Sequence, residues 1–147
     1  IGVDLAKVFI TLPNCTFYQG DAFNHETLQK LLGEHKIEKL DIVASDMAPK
    51  TTGIRIQDQQ RSFDLCTHAL TVAEHWLRPG GHFVVKMFQS EFFDEYLKMI
   101  RKSFEKVELL RPKSTRKASY EIYVIGLRAL RDRPSTRPAA EETTEAH

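Results

Sequence analysis

The stretch Leu40-Asp41-Ile42-Val43-Ala44-Ser45-Asp46 is an apolar, partly β-branched run of strand length that ends on a carboxylate. His82-Phe83-Val84-Val85-Lys86 repeats the form and ends on an ammonium. Between the two, Leu65, Ala69, Val72, Ala73 and Trp76 fall on one helical stripe, which Arg78-Pro79-Gly80-Gly81 brings to a close. Two buried strands joined by a crossover helix make a βαβ unit, and such strands run parallel. Working outward, further strands are expected over residues 1–4, 16–19, 106–110 and 120–126, beside 40–45 and 82–87. Phe93, Leu97, Ile100 and Phe104 share a second helical stripe with Ser90 as its cap, and a shorter helix is expected over residues 25–32, capped by Asn24 with Gly33 near its end. The alternation predicts the α/β class with a mostly parallel sheet.

A chain of 147 residues, 41% hydrophobic and 10% aromatic, can bury one sizeable core, so one domain is expected over residues 1–130. From Arg131 the composition turns to Arg, Pro, small and acidic residues, and residues 131–147 are read as a disordered tail. Twenty-one Lys and Arg against 20 Asp and Glu leave a net charge of +1, but the distribution is uneven. Lys98, Arg101, Lys102, Lys106, Arg111, Lys113, Arg116 and Lys117 face only Glu105 and Glu108 nearby, whereas Glu141, Glu142 and Glu145 crowd the end. Cys15 and Cys66 stand in apolar contexts without metal-ligand spacing, which suits a reducing compartment and buried, inert thiols. The histidines show no shared metal spacing either, so no metal is expected. No run is long and apolar enough to span a bilayer, and the protein is expected to be soluble. Ile1-Gly2-Val3-Asp4-Leu5 reads as the end of a strand without its beginning, so natural sequence is expected upstream.

In an open α/β sheet, ligands sit beyond the carboxyl ends of the parallel strands. Asp4, Asp21, Asp46 and Lys86 all fall there. An Asp after a strand is commonly only a turn former, and that plain reading suits Asp4 or Asp21 taken singly. Asp46 and Lys86 close strands apolar enough to be central, where a charge needs a partner. If the last strand, Tyr120-Glu121-Ile122-Tyr123-Val124-Ile125, runs antiparallel, its start lies beside those ends and Glu121 joins the pair. Trp76, Phe92 and Phe93 are read as core rather than as platforms for bases.

Three ordered motifs, Ser45-Asp46-Met47-Ala48-Pro49, Gly80-Gly81-His82-Phe83-Val84-Val85-Lys86-Met87-Phe88-Gln89 and Lys113-Ser114-Thr115-Arg116-Lys117-Ala118-Ser119-Tyr120-Glu121-Ile122-Tyr123, resemble the successive signatures of the FtsJ/RlmE ribosomal RNA methyltransferases. The likeness runs from Ile1 to about Gly126. It implies a Rossmann-like S-adenosylmethionine-dependent methyltransferase fold with an antiparallel last strand, whose first strand and Gly-rich loop precede these residues. The family's Lys-Asp-Lys-Glu tetrad would be represented by Asp46, Lys86 and Glu121, its first Lys lying upstream. S-adenosylmethionine would meet Asp4 at the ribose hydroxyls, Asp21 near the adenine amino group and Asp46 near the sulfonium. Methyl transfer to an alcohol is an in-line displacement that needs alignment and relief of the hydroxyl proton. Lys86 is the candidate to orient a ribose 2′-OH and to accept or offset that proton. Burial would favour a neutral amine there and the two carboxylates a charged one.

The resemblance implies ribosomal RNA or the large ribosomal subunit as partner and a monomer in the cytoplasm, or in a mitochondrial matrix. Lys113, Arg116 and Lys117 would contact RNA phosphates, a surface that Lys50, Arg55 and Arg61 could extend. Met47 is closer to the ribosomal branch than to the transfer-RNA branch, which tends to carry Gly there. The alternatives are a transfer-RNA or mRNA-cap 2′-O-methyltransferase, and a non-catalytic RNA-binding module of ribosome assembly.

Overall fold

The computed structural model describes residues 1–113 and 120–134, arranged as two compact units, residues 1–39 and residues from 40 onward. In the first unit, β1 (Gly2–Asp4) and β2 (Phe17–Gln19) pair in parallel with Asp4 opposite Gln19, and α1 (His25–Glu34) follows. Asn24 caps α1 as its short acceptor side chain allows, taking the Thr27 N–H at 3.0 Å. Gly33 falls inside the helix, one residue before its end, and Leu31 and Leu32 are buried. At the other end, His35 Nε2 and the Tyr18 hydroxyl are hydrogen-bonded with their rings edge to face.

The second unit runs β3 (Leu40–Ser45), α2 (Arg55–Trp76), β4 (Leu77–Phe88), α3 (Phe93–Arg101), β5 (Phe104–Leu110) and β6 (Glu121–Ala129). Its sheet has the order β3-β4-β6-β5. β3 and β4 are parallel, and β6 runs antiparallel to both β4 and β5. Three strands therefore point one way. The last strand points the other way and lies between two of them. The period-2 rule then sorts side chains by face. Phe83, Val85 and Met87 of β4 and Ile122 and Val124 of β6 are buried with Leu70, Ala73, Tyr96 and Ile100 of the helices. Phe83 stacks on Phe104 at 5.9 Å. Gly126 has to be glycine, because a Cβ there would meet the Phe104 ring at 2.6 Å. Among the described residues no helix is long and apolar enough to cross a membrane.

Several boundaries differ from the sequence reading, each for a local reason. The Arg78-Pro79-Gly80-Gly81 segment belongs to β4 as a bulge: Leu40 pairs Leu77 while Ile42 pairs His82. Arg78 Nε clasps Asp41 Oδ1 at 2.6 Å over it, and a Cβ on Gly81 would meet the Asp41 carbonyl oxygen at 2.9 Å. α2 begins at Arg55, with Ile54 at its N-cap position and no capping side chain. Its first turn is held instead by Asp58, which accepts the Thr52 N–H at 2.7 Å and the Thr52 hydroxyl at 2.9 Å. The α3 N-cap is Phe92 rather than Ser90, whose hydroxyl oxygen instead accepts the Phe92 N–H. Phe104 opens β5. β3, expected to be central, is an edge of its four-stranded sheet, with Ile42 60% exposed. Of the residues read as a tail, Arg133 donates hydrogen bonds to the carbonyls of Glu74, Leu77 and Leu130, and residues 135–147 lie outside the described residues.

Candidate active site

The register of β4 against β6 builds the centre of the site. Lys86 sits directly opposite Tyr123, and Phe88 opposite Glu121, so Lys86, Tyr123 and Glu121 share one face of the sheet. That face is the one away from Phe83, Val85 and Met87. Lys86 Nζ lies 3.2 Å from Asp46 Oδ1, just past the end of β3, and 3.9 Å from Glu121 Oε1, at the start of β6. The three side chains differ in exposure: 13% for Lys86, 37% for Glu121 and 72% for Asp46. The requirement for a partner therefore falls on the lysine, and the two carboxylates meet it while keeping contact with solvent.

Helix α2 fixes the strand that carries the lysine. The buried Cys66 donates its thiol hydrogen to the Lys86 carbonyl at 3.2 Å, and the Ser62 hydroxyl oxygen accepts the Phe88 N–H at 3.1 Å. Tyr96, fully buried, donates to the Cys66 carbonyl at 2.7 Å and ties α3 to the same turn. Burial pushes the Cys66 thiol up to about 12, so at neutral pH it is a donor and not a nucleophile. Cys15 is half-buried.

Tyr123 is a site residue that the sequence reading passed over. Its hydroxyl donates to Asp46 Oδ1 at 3.1 Å, the same oxygen that faces Lys86. This bond to a carboxylate, and burial after it, holds the phenol above its ordinary value. The signal was present in the period of β6, since Glu121 and Tyr123 are two apart and any face that shows one shows the other.

Asp4 and Asp21 lie at the carboxyl end of the parallel pair in the first unit, Asp4 as the last residue of β1 and Asp21 two residues past β2. Each uses one oxygen in a local turn: Asp4 Oδ1 accepts the Ala6 N–H at 2.8 Å and Asp21 Oδ1 the Phe23 N–H at 2.9 Å. The turn-forming role is thus present, and the second oxygen of each carboxylate remains to accept a ligand. Of the basic residues, Lys113 is exposed just after β5, whereas Arg116 and Lys117 lie outside the described residues. Arg61, exposed, donates one guanidinium N–H to the Lys50 carbonyl at 3.2 Å. Beside Glu121 opens a cleft of about 400 Å³ between the start of α2 and the end of β4, lined by Arg55, Gln59, Phe88, Gln89 and Tyr120 among others.

Parallel strands ending in polar residues, a reversed last strand and a lysine set between carboxylates at those ends define an α/β, Rossmann-like methyltransferase fold. The family model described as FtsJ-like methyltransferase matches residues 1–129, and the chain belongs to that family. It is 48% identical over 128 residues to the ribosomal RNA large subunit methyltransferase E of Bdellovibrio bacteriovorus, covering 86% of this chain and 65% of that protein. It is 50% identical over 114 residues to the protein of the same name from Desulfatibacillum aliphaticivorans, covering 78% and 54%. The chain thus spans between about half and two thirds of the length of these relatives. A ribosomal RNA methyltransferase structure from Plasmodium falciparum superposes with a TM-score of 0.74 at 28% identity, over 88% of this chain and 71% of that one.

Proposed function

We propose that the protein transfers a methyl group from S-adenosylmethionine to a ribose 2′-OH of large-subunit ribosomal RNA. The observation that carries this reading is Lys86 Nζ, held 3.2 Å from Asp46 and 3.9 Å from Glu121 at the strand ends. A ribose hydroxyl is a weak nucleophile and needs a donor that fixes its oxygen in line with the methyl group, together with an acceptor for its proton. The Lys86 ammonium donates to the 2′-oxygen and offsets the charge that grows there. Asp46 and Glu121 hold that ammonium in place and offer oxygens to which the proton can pass. Tyr123 keeps the Asp46 carboxylate turned toward the lysine.

S-adenosylmethionine supplies the electrophilic methyl group. The donor set suits it: Asp4 and Asp21 each retain an acceptor oxygen, for the ribose hydroxyls and the adenine amino group respectively, and Asp46 is a carboxylate suited to a sulfonium. Lys113, with Arg116 and Lys117, supplies phosphate contacts that are independent of sequence. The two sequence relatives described above are bacterial proteins named for large-subunit RNA, which supports ribosomal RNA as substrate and the cytoplasm as compartment. No observation favours the mitochondrial matrix.

The test is to incubate full-length protein and S-adenosylmethionine with unmethylated large subunits, then map 2′-O-methylation by resistance of the phosphodiester to alkaline cleavage. One new resistant linkage is expected. Methylation confined to a base, or to transfer RNA, would overturn the assignment.

A further inference from the structure

The cleft next to Glu121 is not used by the chemistry above. Its rim carries an aromatic ring with a guanidinium over it in cation–π range: the Arg55 guanidinium carbon lies 5.2 Å from the centre of the Tyr120 ring. Tyr120 is 55% exposed although its backbone is fixed, its carbonyl accepting the Gln89 N–H at 2.6 Å. An exposed, anchored ring with one cationic neighbour is a platform that binds flat π-systems at little cost in side-chain ordering. The cleft is within the size range of small-ligand sites. Gln59 and Gln89 line it, and neither side-chain amide is committed to a hydrogen bond among the described residues. An amide side chain presents a donor and an acceptor, the pairing that the edge of a nucleobase matches.

Position decides which base. Glu121 lines the cleft and also faces Lys86 Nζ at 3.9 Å, so the cleft opens directly from the point where the ribose oxygen is placed. The group attached to that ribose through its glycosidic bond is the base of the acceptor nucleotide.

Resting on the ribose-methylation reading, we infer that the Tyr120–Arg55 pair is the stacking platform for the acceptor nucleobase, and that Gln59 and Gln89 read its edge. Tyr120 is then a substrate-positioning residue, distinct from the charged cluster that acts on the hydroxyl. The structure shows a reason for an aromatic residue immediately before Glu121: the backbone that sets the carboxylate also sets the ring.

The experiment is a cycle on kcat/KM with full-length protein. Wild type, Tyr120→Ala and Tyr120→Phe are each assayed on a large-subunit RNA segment with a normal acceptor nucleotide and on the same segment made abasic at that nucleotide. Loss of one stacked base predicts about a tenfold fall for Tyr120→Ala on the normal RNA. On the abasic RNA the two proteins should be equal, Tyr120→Phe should match wild type on both RNAs, and affinity for S-adenosylmethionine should be unchanged in all three. An equal fall on both RNAs, or no fall on either, overturns the inference while leaving the proposed reaction intact. Weakened cofactor binding by Tyr120→Ala overturns it in favour of the methyl donor as occupant. A wild type that leaves the normal ribose unmethylated removes both readings at once, and that outcome is visible without any variant.

Discussion

Tyr123 and Lys86 meet at a single atom, Asp46 Oδ1, which accepts a hydrogen bond from the first at 3.1 Å and faces the ammonium of the second at 3.2 Å. The two donors come from directly opposed positions on β6 and β4, so the antiparallel register itself aims both at the carboxylate just past β3. Tyr123→Phe removes one of the two. It should lower the rate of methyl transfer by about three- to tenfold, the worth of one exposed hydrogen bond, with the fold unchanged by circular dichroism. A rate equal to wild type would place Tyr123 outside the working site.

The same bond makes a spectroscopic prediction. The Tyr123 phenol is held above the ordinary tyrosine value of about 10, chiefly by its hydrogen bond to Asp46. A raised folded value means that the associated stability is present below the ordinary value and is lost as pH rises through the folded one. Ultraviolet titration should therefore show two late-ionising tyrosines at the alkaline end, of which Asp46→Ala returns one, Tyr123, toward the ordinary range. The fully buried Tyr96 is the other late titrator, and Tyr123→Phe tells the two apart.

Lys86→Ala should cost roughly a hundred- to ten-thousandfold in methyl transfer, the range for a positioned proton-handling group, with cofactor affinity nearly unchanged. The second expectation follows from the placement of Asp4 and Asp21 on other strands, and calorimetry separates it from the rate. A fall in cofactor affinity as large as the fall in rate would show that Lys86 serves the donor and not the acceptor.

Ser62→Ala removes the acceptor of the Phe88 N–H, two residues past Lys86, and leaves a largely buried donor unpaired. The expected cost is about 1–2 kcal/mol, read as a fall of several degrees in the melting temperature. The rate should fall as well, because the strand end that carries the lysine loses one of its two ties to α2. A drop in stability with full activity would show that the Cys66 thiol alone suffices to hold it.

Asp58 is held below its ordinary value, first by the Thr52 N–H that it accepts. A depressed carboxylate stabilises its surroundings above the ordinary value, about 3.9, and releases them as pH falls through the folded one. The Thr52–Ile54 turn should therefore loosen only at acid pH, and Asp58→Asn should reproduce that loosening at neutral pH, as followed by amide exchange of Thr52.

Much of this was legible in the residues. The run from Leu40 to Ser45 shows strand length, and Asn24 shows a helix start, because each rests on local chemistry. The convergence of Asp46, Lys86 and Glu121 also followed once β6 was taken as antiparallel. What local pattern does not carry was missed. The start of α2 depends on Asp58 reaching back six residues to Thr52 rather than on a cap, and the bulge at Arg78-Pro79-Gly80-Gly81 depends on Asp41 of another strand. The face of Tyr123 was legible from its spacing to Glu121, but its bond to Asp46, 77 positions away, was not. The cation–π contact of Arg55 with Tyr120 joins two segments that no sequence period relates.

The placement of β6 between β4 and β5 bears on how the molecule is made. β5 is translated before β6 and pairs with no other described strand, so during synthesis its backbone donors and acceptors have no sheet to join. The sheet can close only when residues as late as Ala129 have cleared the ribosome's exit tunnel. Until then the nascent chain offers an open slot beside β4, into which a foreign strand could add. The same late step completes the charge cluster, since Glu121 and Tyr123 arrive on that last strand. A chain stalled before it would bear Lys86 with neither of them, its charge cluster incomplete.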